Sequence, residues 1–233
     1  MTEDKTEEWY NKYYEKKGEF RNDIIRNPGV MFQTLASDRA YLEALKIAKI
    51  TNNDFTAADF GSGSGGSVMY LLSVAGMKLI NYTGIDIIEE RIKEGRERWP
   101  TSKFIFADAQ NLDIPSDSYD IVTESTMFVQ ITDDVVAKNV LSTMCRVLKP
   151  GGFMLLRDWT FPYGGGESYK ALTKKRLEML LPANMVIRAK IKGPLVPPLG
   201  RFLSKHLPSL YFLVQALMPF LVGQHVYVVE RTG

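Results

Sequence analysis

Four acids stand at or just beyond the ends of apolar runs in this chain. They are Asp59 after Ala57-Ala58, Asp86 after Gly84-Ile85, Asp108 after Phe106-Ala107, and Glu124 after Val122-Thr123. The first leads into Phe60-Gly61-Ser62-Gly63-Ser64-Gly65-Gly66, so a carboxylate meets a glycine-rich bend. Backbone N–H groups in such a bend can approach a nucleotide-like ligand closely. A short glycine bend is also what a flexible surface turn looks like, so the acids have to carry the distinction.

Two spacings overlap in the bend. Gly61, Gly63 and Gly66 satisfy the dinucleotide pattern G-x-G-x-x-G. Gly61, Gly63 and Gly65, with Asp59 two residues ahead, satisfy (Asp/Glu)-x-G-x-G-x-G. A nicotinamide dinucleotide would bring a doubly negative pyrophosphate beside Asp59, and like charges there are unfavourable. S-adenosylmethionine has no phosphate; it offers a sulfonium and an ammonium, which an acid helps to hold. Asp86 is placed to accept hydrogen bonds from ribose hydroxyls. Ile87 could cover one adenine face, and Asp108 could accept from the adenine amino group.

These residues need a scaffold that brings strand ends together. Phe55 to Phe60, Leu79 to Ile87, Lys103 to Ala109, Tyr119 to Ser125 and Phe153 to Asp158 read as five strands. Helical runs lie between them, from Ser67 to Val74 and from a cap at Thr132 or Asp133 to Leu148. This alternation predicts an α/β fold: a doubly wound, mostly parallel sheet covered on both faces. Its carboxyl-end crevice would collect the acids.

The chain resembles a class I S-adenosylmethionine-dependent methyltransferase of the broad family acting on small molecules. The resemblance rests on DFGSGSG at 59–65, GIDI at 84–87, FADAQNLDIPSDSYDIV at 106–122 and LKPGG at 148–152. It implies seven strands, the last antiparallel. It also implies that Asp59, Gly61, Ser62, Gly63 and Gly65 hold the methionine part, Asp86 and Ile87 the ribose and adenine side, and Asp108 with Ala109 the adenine. Glu124 and Ser125 would lie near the methionine amino group. The chain departs from many relatives in carrying Phe128-Val129-Gln130-Ile131 where they place a histidine. A mechanism relying on that histidine is not implied here.

Composition fits a soluble enzyme of one domain over all 233 residues, 45% hydrophobic and 24% charged. Net charge is +2, from 29 basic and 27 acidic residues, which gives no electrostatic case for nucleic acid. The single Cys145 excludes an internal disulfide and suits a reducing compartment. Residues 1–17 are polar and charged, unlike a signal peptide, so the expected location is cytoplasmic. No cluster has metal-ligand spacing, and no metal is expected.

Residues 1–50 read as a helical cap over the 55–159 core. Trp9, Tyr13 and Lys16-Lys17 share one helical face that Gly18 would end, and Ser37 or Asp38 would cap a second helix through Ile50. Tyr13, Tyr14 or Arg21 could reach the sulfonium or the methionine carboxylate, with Tyr14 the cofactor contact expected.

Residues 160–233 should carry acceptor identity. Phe161 to Gly166 reads as a loop, Glu167 to Leu181 as a helix, and Met185 to Ile191 and Val226 to Glu230 as strands. Between them, 193–223 is strongly apolar but too short and Pro-broken for a span of about 20 residues. It reads either as a lid or dimer face, or as an interfacial element beside Arg201, Lys205 and His206 that touches a bilayer or a lipid-linked substrate.

A sulfonium methyl is already electrophilic, so the protein must align a nucleophile and exclude water. An alcohol acceptor also needs a base. Asp158 is the catalytic candidate, with His206 and His225 behind it. The expected reaction is methyl transfer to a small molecule, as O-methylation of a sugar or lipid-linked glycan, with a quinone or other lipophilic acceptor close behind. The alternatives are a non-catalytic module binding S-adenosylmethionine or S-adenosylhomocysteine, and an NAD-dependent dehydrogenase.

Overall fold

Largely apolar strands interleaved with helices leave little choice but a covered sheet, and the computed structural model has one. It describes residues 22–50, 53–162 and 168–233. Trp9, Tyr13, Tyr14, Lys16, Lys17, Gly18 and Arg21 lie outside the described residues. In chain order the elements are α1 (Pro28–Ile47), β1 (Ala57–Phe60), α2 (Ser67–Val74), β2 (Tyr82–Asp86), α3 (Glu89–Arg98), β3 (Lys103–Phe106), β4 (Tyr119–Ser125) and α4 (Asp134–Val147). They continue as β5 (Leu148–Trp159), α5 (Lys174–Leu180), β6 (Met185–Lys192), α6 (Pro197–His206), α7 (Tyr211–Leu217) and β7 (Gln224–Arg231).

The seven-stranded sheet has the order β3-β2-β1-β4-β5-β7-β6. The first five pair in parallel, and β7 runs antiparallel between β5 and β6. The antiparallel last strand bears out the expected topology and differs from the all-parallel 3-2-1-4-5-6 order of dinucleotide folds. One core layer packs Val140, Leu141, Met144 and Leu177 against Phe60, Val122, Leu156 and Tyr227. The opposite layer packs Tyr41, Ala44, Leu72 and Ile92 against Ile121, Leu155 and Val228. Burial on both faces explains why β1 is apolar throughout except for Asp59.

Two sequence expectations are corrected. Helix α1 begins at Pro28, not at Ser37 or Asp38, and ends at Ile47. Asn27 caps it, with its side-chain oxygen accepting from Gly29 N at 3.2 Å, and Pro28 presets the first helical φ. Ser37 and Asp38 then sit mid-helix facing the sheet: the Ser37 hydroxyl donates to Gln224 Oε1 at 2.8 Å. Helix α5 begins at Lys174, capped by Thr173; Glu167, where the sequence reading started it, lies outside the described residues. Residues 169–173 are not helical and are held by contacts to other segments. Lys170 N donates to Val129 O and Leu172 N to Trp159 O, both at 2.9 Å. The Asp133 cap of α4 agrees with the sequence reading, its carboxylate accepting from Val135 N at 2.7 Å.

Strand β6 leads into the segment 193–223, which returns as β7 through Gln224, paired with Trp159 at the end of β5. The segment therefore emerges at the carboxyl end of β5, on the side of the sheet where the acids collect. It packs on α1 through Ala36, Leu195, Leu203, Tyr211 and Val222. The Tyr211 hydroxyl donates to Gln33 Oε1 at 2.5 Å and accepts from Leu195 N at 3.1 Å.

Candidate cofactor site

Parallel pairing of β1 with β2 and β4 sets Phe60 beside Ile85 and Glu124, so three strands end together. The turn after β1 is fastened by Gly61 N and Ser62 N, which both donate to Ile85 O, at 2.8 and 3.1 Å. Gly61, Gly63 and Gly65 take left-handed φ values of 70°, 55° and 76°. Gly66 does not, with φ −124° at the start of α2. The glycines at the positions of the (Asp/Glu)-x-G-x-G-x-G spacing thus take a backbone that glycine adopts without strain. A Cβ on Gly63 would meet nothing within 4 Å, whereas one on Gly65 would press on Phe104 at 3.0 Å and on Met69 and Trp99 at 3.2 Å. Gly65 thus closes the turn against the core, and Gly63 faces open space.

Asp59 is 3% exposed. Its Oδ2 accepts from the Tyr82 hydroxyl at 2.7 Å, and its Oδ1 is buried with no partner among the described residues. Burial pushes the carboxyl up to about 7, against the pull of the Tyr82 hydrogen bond and the Arg157 charge. Glu124, on the neighbouring strand, is fully buried; its Oε2 accepts from Met127 N at 2.9 Å. Its Oε1 also lacks a partner among the described residues. Burial first, and then the Asp158 charge, raise its ionisation well above the carboxylate range. Two orphaned buried carboxylate oxygens at adjacent strand ends make a place that favours a cation with N–H donors.

Asp86 braces the turn and borders the same space. Its Oδ2 accepts from Gly63 N at 2.8 Å and its Oδ1 from Ile88 N at 3.0 Å, which leaves one lone pair on each oxygen. Burial raises it too. Ile87 is half-buried beside it. Asp108 is exposed, one strand further out, and accepts from Gln110 N at 2.9 Å; Ala109 is half-buried against the core. Ala107 N donates to Asp86 O at 3.0 Å, which ties the ends of β2 and β3 together. Ser62 and Ser125 are half-buried at the rim, and the Ser125 hydroxyl accepts from Arg157 Nε at 3.0 Å. Of the expected cofactor residues the structure describes, all lie at this one end of the sheet.

Asp158, the expected catalytic residue, is fully buried, with Oδ1 accepting from Trp159 N at 2.6 Å and Oδ2 from Val129 N at 2.8 Å. Burial raises its carboxyl as well. With two backbone donors against one, Asp158 is the better anion of the pair, and Glu124 holds the proton first. Enclosed in this way, Asp158 braces the turn after β4. That turn includes Thr126 at φ 62°, strained for a β-branched residue. In the Phe128–Ile131 segment, Phe128 and Val129 are buried and Gln130 and Ile131 half-buried. His225 bonds Thr160 Oγ1 through Nδ1 at 2.6 Å. Burial, with Lys190 and Lys192 adding to it, pushes its imidazole down to about 3, so it stays neutral. His206 is exposed and stacks on Phe202, 5.1 Å between ring centroids.

The sequence reading missed Arg157 as a site residue. This buried guanidinium donates to Ser67 Oγ at 2.6 Å and to Asp38 Oδ1 at 3.3 Å, besides Ser125, and lies 5.2 Å from the Tyr41 ring centroid. It ties α1, α2 and β4 together beneath the acids. The available signal was a charge inside an apolar strand, Leu156-Arg157-Asp158.

The strand order, the left-handed glycines and the acid-lined strand ends are those of the class I S-adenosylmethionine-dependent methyltransferase fold. Residues 57–152 match the family described as "Methyltransferase domain". The chain is 37% identical over 108 residues to a 2-methyl-6-phytyl-1,4-hydroquinone methyltransferase of Synechocystis sp., covering 45% of this chain and 32% of that one. It is 32% identical over 116 residues to a ubiquinone/menaquinone biosynthesis C-methyltransferase of Campylobacter jejuni, covering 48% of each. The matches thus span half or less of these curated relatives. A crystal structure of an S-adenosylmethionine-dependent methyltransferase from Methanosarcina mazei shares the fold, with TM-score 0.58 and 17% identity over 80% of this chain and 97% of that one.

Proposed function

We propose that this protein binds S-adenosylmethionine at the Gly61–Gly65 turn and transfers its methyl group to a lipophilic small molecule. The observation that carries the reading is the pair of unpartnered buried oxygens, Asp59 Oδ1 and Glu124 Oε1. In this reading they receive the ligand's ammonium, Asp86 receives the ribose hydroxyls, and Asp108 with Ala109 borders the adenine. When bound, S-adenosylmethionine supplies an electrophilic sulfonium methyl. The residues of this chain bind and orient it, and the turn braced by Asp158 walls the crevice against water.

Two features favour a lipophilic acceptor over the sugar or lipid-linked glycan suggested by the sequence. The curated relatives named above act on a hydroquinone and in quinone biosynthesis. The apolar segment 193–223 enters and leaves the sheet at the carboxyl end of β5. O-methylation of a glycan remains the finer alternative, and a long-chain quinol the first acceptor to try.

Titration calorimetry with S-adenosylmethionine, S-adenosylhomocysteine and NADH tests the site. Labelled methyl transfer into lipid and aqueous fractions of a cell extract then tests the reaction. We expect both adenosyl ligands to bind, NADH not to bind, and label to enter the lipid fraction. Absence of binding at millimolar ligand by a folded protein overturns the reading. Binding without turnover in either fraction points instead to a regulatory module.

A further inference from the structure

The segment 193–223 has two faces of different character. Its inner face is buried on α1 through Leu195, Leu203, Tyr211 and Val222. On the outside, Phe202, Leu207, Leu210, Leu213, Leu217 and Phe220 are each between 41% and 72% exposed. A soluble monomer rarely leaves so many large apolar side chains together on one short stretch. The charge pattern is as uneven. The segment contains no Asp or Glu, in a chain that has 27, while Arg201, Lys205 and His206 all lie on α6. Lys190 and Lys192 are exposed on the strand that leads into it. Among the described residues no helix is long and apolar enough to cross a membrane.

We propose that this face docks the protein on a bilayer rich in anionic phospholipid. The six apolar side chains enter the headgroup boundary, and the exposed Lys205 of α6 meets the phosphates. Charge decides between this occupant and a second copy of the chain. A twofold contact sets the same patch against itself and would bring Lys205 toward its own counterpart with no acid in the segment to offset it. An anionic lipid surface complements both the apolar and the cationic features. Docking in this orientation would bring the carboxyl end of the sheet toward the bilayer, where a lipophilic acceptor resides. The inference does not depend on the cofactor assignment, because vesicle binding is read without ligand.

The test is vesicle flotation of the full chain with phosphatidylcholine containing roughly 30 mol% phosphatidylglycerol, at about 0.1 M salt. Wild type should float with these vesicles, and should float several-fold less at about 0.5 M salt or with phosphatidylcholine alone. Leu213→Glu combined with Leu217→Glu should weaken binding on the order of tenfold or more, with an unchanged circular dichroism spectrum. Phe202→Glu, on a different helix, provides the same test if the double variant fails to fold. Several results would overturn the proposal: no flotation, equal flotation of wild type and folded variant, binding indifferent to lipid charge and salt, or a sedimenting dimer that the double variant dissociates.

Discussion

Replacing Asp59 by Asn should make the protein more stable and a poorer ligand binder at the same time. Burial raises the Asp59 carboxyl to about 7 when folded, against 3.8 for a solvent-exposed aspartate. Holding it as a buried anion therefore costs on the order of 4 kcal/mol. The sign follows from proton binding. Between pH 4 and 7 the folded state carries a proton that the unfolded state has lost, so this residue's contribution to stability declines as pH rises through that window and levels off above it. Asn keeps the acceptor for the Tyr82 hydroxyl but never ionises. Urea unfolding of the two proteins should coincide near pH 4 and diverge upward. The variant's midpoint should be about 1–2 M higher at pH 8, for a slope of about 2–3 kcal/mol/M. Calorimetry should show the opposite trend for S-adenosylmethionine and S-adenosylhomocysteine, which share the ammonium. Losing a charged hydrogen-bond partner worth about 1.5–3 kcal/mol weakens each by roughly 10- to 150-fold. A variant no more stable than wild type at pH 8, or one that binds both ligands as well as wild type, would refute the argument.

Other substitutions probe the rest of the site. Gly65→Ala should destabilise by about 1–3 kcal/mol, a melting-temperature loss of several degrees, from its left-handed φ and its tight contacts. Gly66→Ala meets nothing within 4 Å of the new Cβ, but its φ of −124° with ψ of −136° lies outside the main allowed regions, so it should cost less than Gly65→Ala without being neutral; greater damage at Gly66 would sink the glycine assignment. Arg157→Met removes a buried cation from Asp38 and two serines and should lose about 3–5 kcal/mol by chemical denaturation, and Arg157→Lys should recover little because an ammonium cannot span three partners. Asp158→Asn turns its amide toward one of two backbone donors and should lose about 1–3 kcal/mol of stability without shifting the pH profile of methyl transfer; a displaced profile would restore it as a base.

What the sequence determined by itself was whatever its local pattern encodes. Apolar runs ending in Asp59, Asp86 and Glu124, a glycine bend after the first, and amphipathic stretches between them specify covered parallel strands with acids at one end. Each of these signals spans a few residues, and each survives in the structure. Tertiary structure decided what depends on distant partners. Gly65 rather than Gly66 takes the left-handed backbone because Phe104, Met69 and Trp99 close in on it. Asp158 points inward because Val129, 29 positions away in sequence, offers its N–H. Arg157 becomes the buried counterweight through Asp38 and Ser67, 119 and 90 positions away. Even the start of α1 escaped, since Ser37 and Asp38 look like caps until the sheet gives them other bonds. Desolvation and long-range pairing set the character of a charge, and neither is visible until the chain has folded around it.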